Sequence, residues 1–140
     1  MTGDLVRQQT EAIVNPANVH LSHGGGAARA IAVAAGRDLE DDCSDYIRQH
    51  RWLKVGETMH TRPGNLPLPI VSVIHVAGPN FSEYSDSDEC HHMLRRAFRN
   101  CFIHANDIVN VHSLAVPAIS SGNDSLLLNY CSGSNSLQLR

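Results

Sequence analysis

The sequence predicts an α/β fold in which strands and helices alternate along a single layered domain. Three observations lead there. Short apolar runs at Ala12 to Val14, Pro69 to Val76 and Leu114 to Ile119 read as strands buried on both faces. The segments between them carry apolar residues at helical spacing. The chain has 140 residues, about one domain, enough to bury roughly two thirds of its unfolded surface in one core.

Composition narrows the class. With 42% hydrophobic and 18% charged residues the chain reads as soluble and globular. A formal net charge of -3 argues against a broad basic surface for duplex nucleic acid, so any anion binding must be local. Cys43, Cys90, Cys101 and Cys131 form no CxxC pair, which points to reduced thiols in an intracellular protein, cytoplasmic or nuclear, rather than to zinc. His91 and His92 are adjacent, and neighbours on a helix diverge by about 100°, a poor chelating pair. No metal and no cofactor is expected. The N-terminus lacks the basic and apolar regions of a signal peptide, and no run approaches the roughly 20 apolar residues of a membrane span.

The first strand, Ala12 to Val14, leads into Asn15, Pro16 and Asn18, then into Gly24, Gly25 and Gly26. Proline fixes φ in the turn, and the asparagines suit side-chain hydrogen bonding there. The glycines have no Cβ, so their backbone N–H groups are free to approach an anion. A small-residue helix from Ala27 to Ala35 would aim its positive end at the same place. Neither the P-loop ending nor the GxGxxG spacing is present.

After Gly36, RDLEDDCSDYIRQH places Leu39, Cys43, Tyr46 and Ile47 on one face of an amphipathic helix, with Glu40, Asp41, Asp42 and Asp45 as a solvated acidic face. Val55 to Met59 and Pro69 to Val76 read as strands, and Gly64, Pro67 and Pro69 punctuate the turn between them. His75, near the end of the second, reads as a structural histidine rather than a base. From Asp86 to Asn106 the positions Cys90, Met93, Leu94, Ala97, Phe98 and Cys101 mark the core side of a helix, and Arg95, Arg96 and Arg99 its solvated side. Leu114 to Ile119 then ends in the hydroxyl-rich turn Ser120, Ser121, Gly122.

Taken in order, GDLV at Gly3 to Val6, EAIVNPAN, HGGGAARAIAVAAG, HVAGPNF and LAVPAISSG resemble a macrodomain. The resemblance runs from about Gly3 to Gly122. It implies a three-layer fold with a mixed, mostly parallel sheet between helices, and an ADP-ribose-binding module. It further implies adenine near Asp4, Leu5 and Ile13, and diphosphate between Gly24, Gly25, Gly26 and Ala27 on one side and Ser120, Ser121 and Gly122 on the other. The distal ribose falls at Asn18, with Asn15 left to stabilise the turn. The partners implied are ADP-ribose and ADP-ribosylated proteins.

The resemblance stops at Gly122, which divides the chain into an incomplete macrodomain at 1–122 and a divergent, poorly ordered tail at 123–140. The first motif begins at Gly3 with no strand before it, so the terminal strands are expected to be missing and the chain to be a fragment. The strand Leu114 to Ile119 would then have an unpaired edge unless Leu126 to Leu128 or the chain end folds back on it.

Resemblance also sets the enzymatic expectation. The resemblance implies that macrodomain hydrolases of the best-defined type carry an acidic residue two positions beyond the last glycine of the triplet and a histidine four beyond that, while others use the ribose-proximal asparagine and an ordered water. Here those positions are Ala28 and Ala32, which move no proton. A non-catalytic binding domain is therefore expected. The alternatives are a weak or atypical ADP-ribosyl hydrolase, or a recruitment domain of a larger ADP-ribosyltransferase-type protein.

Overall fold

The computed structural model describes residues 10–23, 26–80, 83, 85–116 and 136–138, the last three by their backbone. Strand β1 (Ala12–Ala17) is followed by helices α1 (Gly26–Ala35) and α2 (Arg37–His50), strands β2 (Thr58–Thr61) and β3 (Ser72–Ala77), and helix α3 (Ser87–Ile103). Helix α3 runs on into a π-helical segment at His104–Val109, and strands β4 (Ser113–Ala115) and β5 (Ser136–Gln138) complete the set. The strands form one mixed sheet in the order β2-β3-β1-β4-β5. β1 is parallel to β3 and to β4, whereas the two outer pairs, β2 with β3 and β4 with β5, are antiparallel.

Side-chain alternation along the strands builds two cores. Ile13, Ala17, Val73 and Ala115 point to one face, where they meet Ile31 and Ala35 of α1 and Leu39 and Cys43 of α2. Ala12, Val14, Ile74, Val76 and Leu114 point to the other, where they meet Leu94, Ala97 and Cys101 of α3. Topology explains why the helices divide in this way. The connection from β1 to β3 moves one way along the sheet and that from β3 to β4 moves back past β1, so right-handed crossovers put α1 and α2 on one face and α3 on the other.

Several expected boundaries shift. β2 starts at Thr58 rather than Val55, because Val55 and Gly56 form a turn in which Gly56 N–H donates to Ala77 O at 2.7 Å. β3 starts at Ser72 rather than Pro69, since Ile70 N–H turns back to Pro67 O at 3.1 Å. The long helix opens at Ser87, with Asp86 as its N-cap accepting from Asp88 N–H, and the π-helical segment carries it past Asn106. Gly64 allows the loop after β2 to lie on the end of α1: a Cβ there would sit 2.2 Å from Ala35 O, and its φ is +58°.

The edge expected at β4 is paired. β5, from the chain end, lies antiparallel to it with Leu114 opposite Leu137, so β4 has β1 on one side and β5 on the other. Leu126 to Leu128 lie outside the described residues.

Candidate functional site

β1 and β3 are adjacent and parallel, yet their carboxyl ends feed helices on opposite faces of the sheet, α1 from β1 and α3 from β3. A crevice opens where neighbouring connections diverge in this way, and ligands of open α/β sheets bind there. It is flanked by the loop after β1, residues 18–23, and by the start of the loop after β3, Gly78 to Asn80.

Asn18 builds the first of these loops. Its Oδ1 accepts from His20 N–H at 3.0 Å and Ser22 N–H at 3.1 Å, and its Nδ2 donates to Ser22 O at 3.1 Å and Ser22 Oγ at 2.9 Å. The bend that results holds Leu21 at φ 54° with its side chain buried. Asn18 itself is exposed at the crevice.

Asn15 does not stabilise that turn, contrary to the division of roles drawn from the sequence. It is fully buried in β1, where Nδ2 donates to His75 Nδ1 at 2.8 Å. The reason is register: Asn15 lies directly opposite His75 in the β1–β3 pair. Since His75 Nδ1 accepts, its Nε2 carries the proton and donates to Thr61 Oγ1 at 3.0 Å, with Cys43 Sγ 3.9 Å away. Burial, followed by the nearby His23 and His60, pushes His75 down to about 3, which keeps it neutral. Its reading as a structural histidine holds, with the network as the cause.

His23, the residue before the glycine triplet, has a side chain only 4% exposed. It lies 3.5 Å from Asn15 Nδ2 through Nδ1, and its Nε2 lies 3.5 Å from Glu40 Oε1 of α2. That nitrogen and Asn15 Oδ1 have no hydrogen-bond partner among the described residues. Burial lowers the His23 pKa and Glu40 raises it, the first effect being larger. The sequence reading missed Asn15 and His23 as supports of the loop; the available signal was a histidine abutting three glycines. On the acidic face of α2, Glu40, Asp41 and Asp45 are exposed, and the half-buried Asp42 accepts from both the backbone N–H and the guanidinium of Arg62.

Helix α1 begins at Gly26, whose φ is +59° and whose Cβ position has nothing within 4 Å among the described residues. No acidic residue stands in the first turn of α1 to neutralise the positive end. Ala27 is half-buried beside it, and Ala28, one of the two positions a hydrolase would use, is buried. Ile13 has no exposed surface and packs into the core between sheet and helices, so its side chain offers a ligand no contact surface. Asp4, Leu5, Gly24, Gly25, Ser120, Ser121 and Gly122 lie outside the described residues.

Comparison with known proteins now decides the family. The Macro domain family model matches residues 14–129. This chain is a macrodomain. Human protein mono-ADP-ribosyltransferase PARP14 is 38% identical over 120 residues, 86% of this chain and 6% of that protein. O-acetyl-ADP-ribose deacetylase 1 of Pantoea vagans is 35% identical over 120 residues, 86% of this chain and 67% of that protein. Among solved structures, the macrodomain of Oceanobacillus iheyensis with ADP superposes with a TM-score of 0.73 at 29% identity, covering 83% of this chain and 60% of that one. The chain therefore spans less than two thirds of the length of several proteins it matches. The mixed sheet between helix layers is the macrodomain architecture, and among the described residues no helix is long and apolar enough to cross a membrane.

Proposed function

We propose that this macrodomain binds ADP-ribose, free or linked to protein, and acts as a reader of that group. The observation that carries the reading is the helix α1 terminus at the crevice: no described residue comes within 4 Å of the Gly26 Cβ position, and the first turn has no acidic side chain. A diphosphate is held by such a terminus and a glycine loop without a basic side chain, which suits a chain of net charge -3. In this reading Gly24 to Ala27 and Ser120 to Gly122 close on the diphosphate, and Asp4 accepts from the adenine amine beside the Leu5 backbone. Asn18 meets the distal ribose by exchanging one of its loop hydrogen bonds. The resemblance to a short part of PARP14 supports a recruitment role within a larger protein, in the cytoplasm or nucleus.

A hydrolytic role is the second reading, favoured by the name of the Pantoea vagans relative. Against it, Ala28 and Ala32 supply neither acid nor base, so slow or absent release of mono-ADP-ribose from protein is expected.

Calorimetric titration with ADP-ribose and with AMP tests the binding reading. ADP-ribose should bind at least about tenfold more tightly, since charge-assisted hydrogen bonds to a second phosphate contribute roughly 1.5 to 3 kcal/mol each. Equal affinities would remove the diphosphate and distal-ribose sites. Gly25→Glu should abolish binding, and Asp4→Ala should weaken it in a folded protein.

A further inference from the structure

A second cleft, of about 570 Å³, lies between the end of α2, residues 51–57, the start of β2 and the middle of α3. It is separate from the glycine triplet and carries none of the residues assigned above. Its walls hold two kinds of group. One is flat aromatic surface: Trp52 is 48% exposed, and the Tyr46 and His50 rings stack at 4.2 Å with 21° between their planes. The other is unpaired positive charge: Lys54 and Arg96 are exposed, and neither has a carboxylate within salt-bridge distance among the described residues.

The cleft is preformed. Arg51 N–H donates to Ile47 O at 2.7 Å, Leu53 N–H to Val19 O at 2.8 Å, and Gly56 N–H to Ala77 O at 2.7 Å. Asn100 Nδ2 donates to Gly56 O at 2.6 Å and ties the loop to α3. Gly56 leaves room for Arg96, whose Cδ would lie 3.7 Å from a Cβ placed there. The fully buried Leu53 anchors the loop, so the neighbouring Trp52 is held at the surface rather than left there by a mobile segment. Glu57 also lines the cleft, with its carboxylate accepting from Lys54 N–H at 3.3 Å. Two cations thus face one carboxylate in a chain whose net charge is -3.

We propose that this cleft is a second nucleotide site, taking a nucleoside monophosphate with its base stacked on the aromatic surface and its phosphate between Lys54 and Arg96. Stacking on aromatic side chains tolerates any base, because every base has a π-face, and arginine adds both phosphate pairing and cation–π contact. An acidic peptide would use the cations and leave the aromatic faces idle, so the combination selects a ring-bearing phosphate.

Trp52 is the single tryptophan of the chain, so its fluorescence reports on this cleft directly. AMP should change that fluorescence saturably in the full chain and also in Gly25→Glu, whose glycine loop no longer admits phosphate. Arg96→Glu and Lys54→Glu, both at exposed positions, should each weaken the apparent affinity at least about tenfold with an unchanged circular dichroism spectrum. Adenosine and inorganic phosphate, which each make half of the contacts, should bind more weakly than AMP. The proposal is overturned by the absence of a saturable change in the full chain, by its loss in folded Gly25→Glu, which would assign it to the glycine loop, or by indifference to both charge reversals. Calorimetry with ADP-ribose and AMP repeated in Arg96→Glu, which removes AMP binding at this cleft, reads the glycine-loop site alone, so failure of either proposal is told apart from failure of the other.

Discussion

The two faces of the central sheet differ in what they bury. Under α3 the face is apolar along its centre, with Val14, Ile74, Val76 and Leu114 against Leu94 and Ala97. Under α1 and α2 the same strands bury Asn15 and His75 among Ile13, Val73 and Leu39, with Thr61, Cys43 and His23 around them. Apolar packing contributes stability in proportion to area and has no preferred direction. The polar network contributes less on balance, but it is directional, and it lies beneath the loop that leads into the glycine triplet. The comparison teaches that one face holds the sheet together and the other orients the crevice.

Leu94→Ala tests the apolar face and should have the largest effect. Leu94 is 1% exposed, so truncation should cost about 2 to 5 kcal/mol in denaturant unfolding. It should do so without changing how stability depends on pH. A loss well under 1 kcal/mol would mean that the α3 face is loosely packed.

Acidification probes the buried histidines, His75 and His23 on the polar face and His104 at the end of α3. Burial lowers His75 to about 3 and, on the α3 side, His104, whose Nδ1 lies 3.0 Å from Thr58 Oγ1, to about 4. The unfolded chain therefore binds more protons than the folded one as pH falls below about 6.5, the ordinary histidine value. Stability should decline as pH falls from about 6.5 toward those lowered values, by at most about 1.4 kcal/mol per pH unit for each histidine. His23, also lowered by burial, acts in the same direction. Flat stability between pH 7 and pH 5 would contradict the buried neutral histidines.

His75→Leu sharpens the contrast further. It strands Asn15 Nδ2 and the Thr61 hydroxyl, at about 1 to 3 kcal/mol for each group left unpaired. The same variant should flatten part of the acid dependence. An unchanged pH slope would exclude His75 as its source.

The smallest effect belongs to Asn18→Ala. Its hydrogen bonds are exposed and local, so global stability should fall by about 1 kcal/mol or less. ADP-ribose affinity should fall by more than that, through the loop and the ribose contact together. Equal losses in both would reduce Asn18 to a turn residue.

Much of this architecture was legible in the residues themselves. The helical spacing of Cys90, Leu94, Ala97 and Cys101 named the buried side of α3, and Leu39 and Cys43 did so for α2, because both patterns repeat within a few residues. The strand, turn, glycine triplet and helix of residues 12–35 could be read in order for the same reason. What tertiary structure decided involves partners distant in sequence. Asn15 and Asn18 are chemically identical and three positions apart, yet one pairs with a histidine 60 residues away and the other with its own loop. Only the register of β1 on β3 assigns those roles. The chain end was one of two segments that could cover β4, and a three-residue strand there has too little periodicity to select it. The cleft at Trp52 arises where α2, β2 and α3 converge, and no local pattern records a surface assembled from three elements. Side-chain period is a property of the chain near each residue, whereas register, edge pairing and cleft shape depend on which distant segments meet.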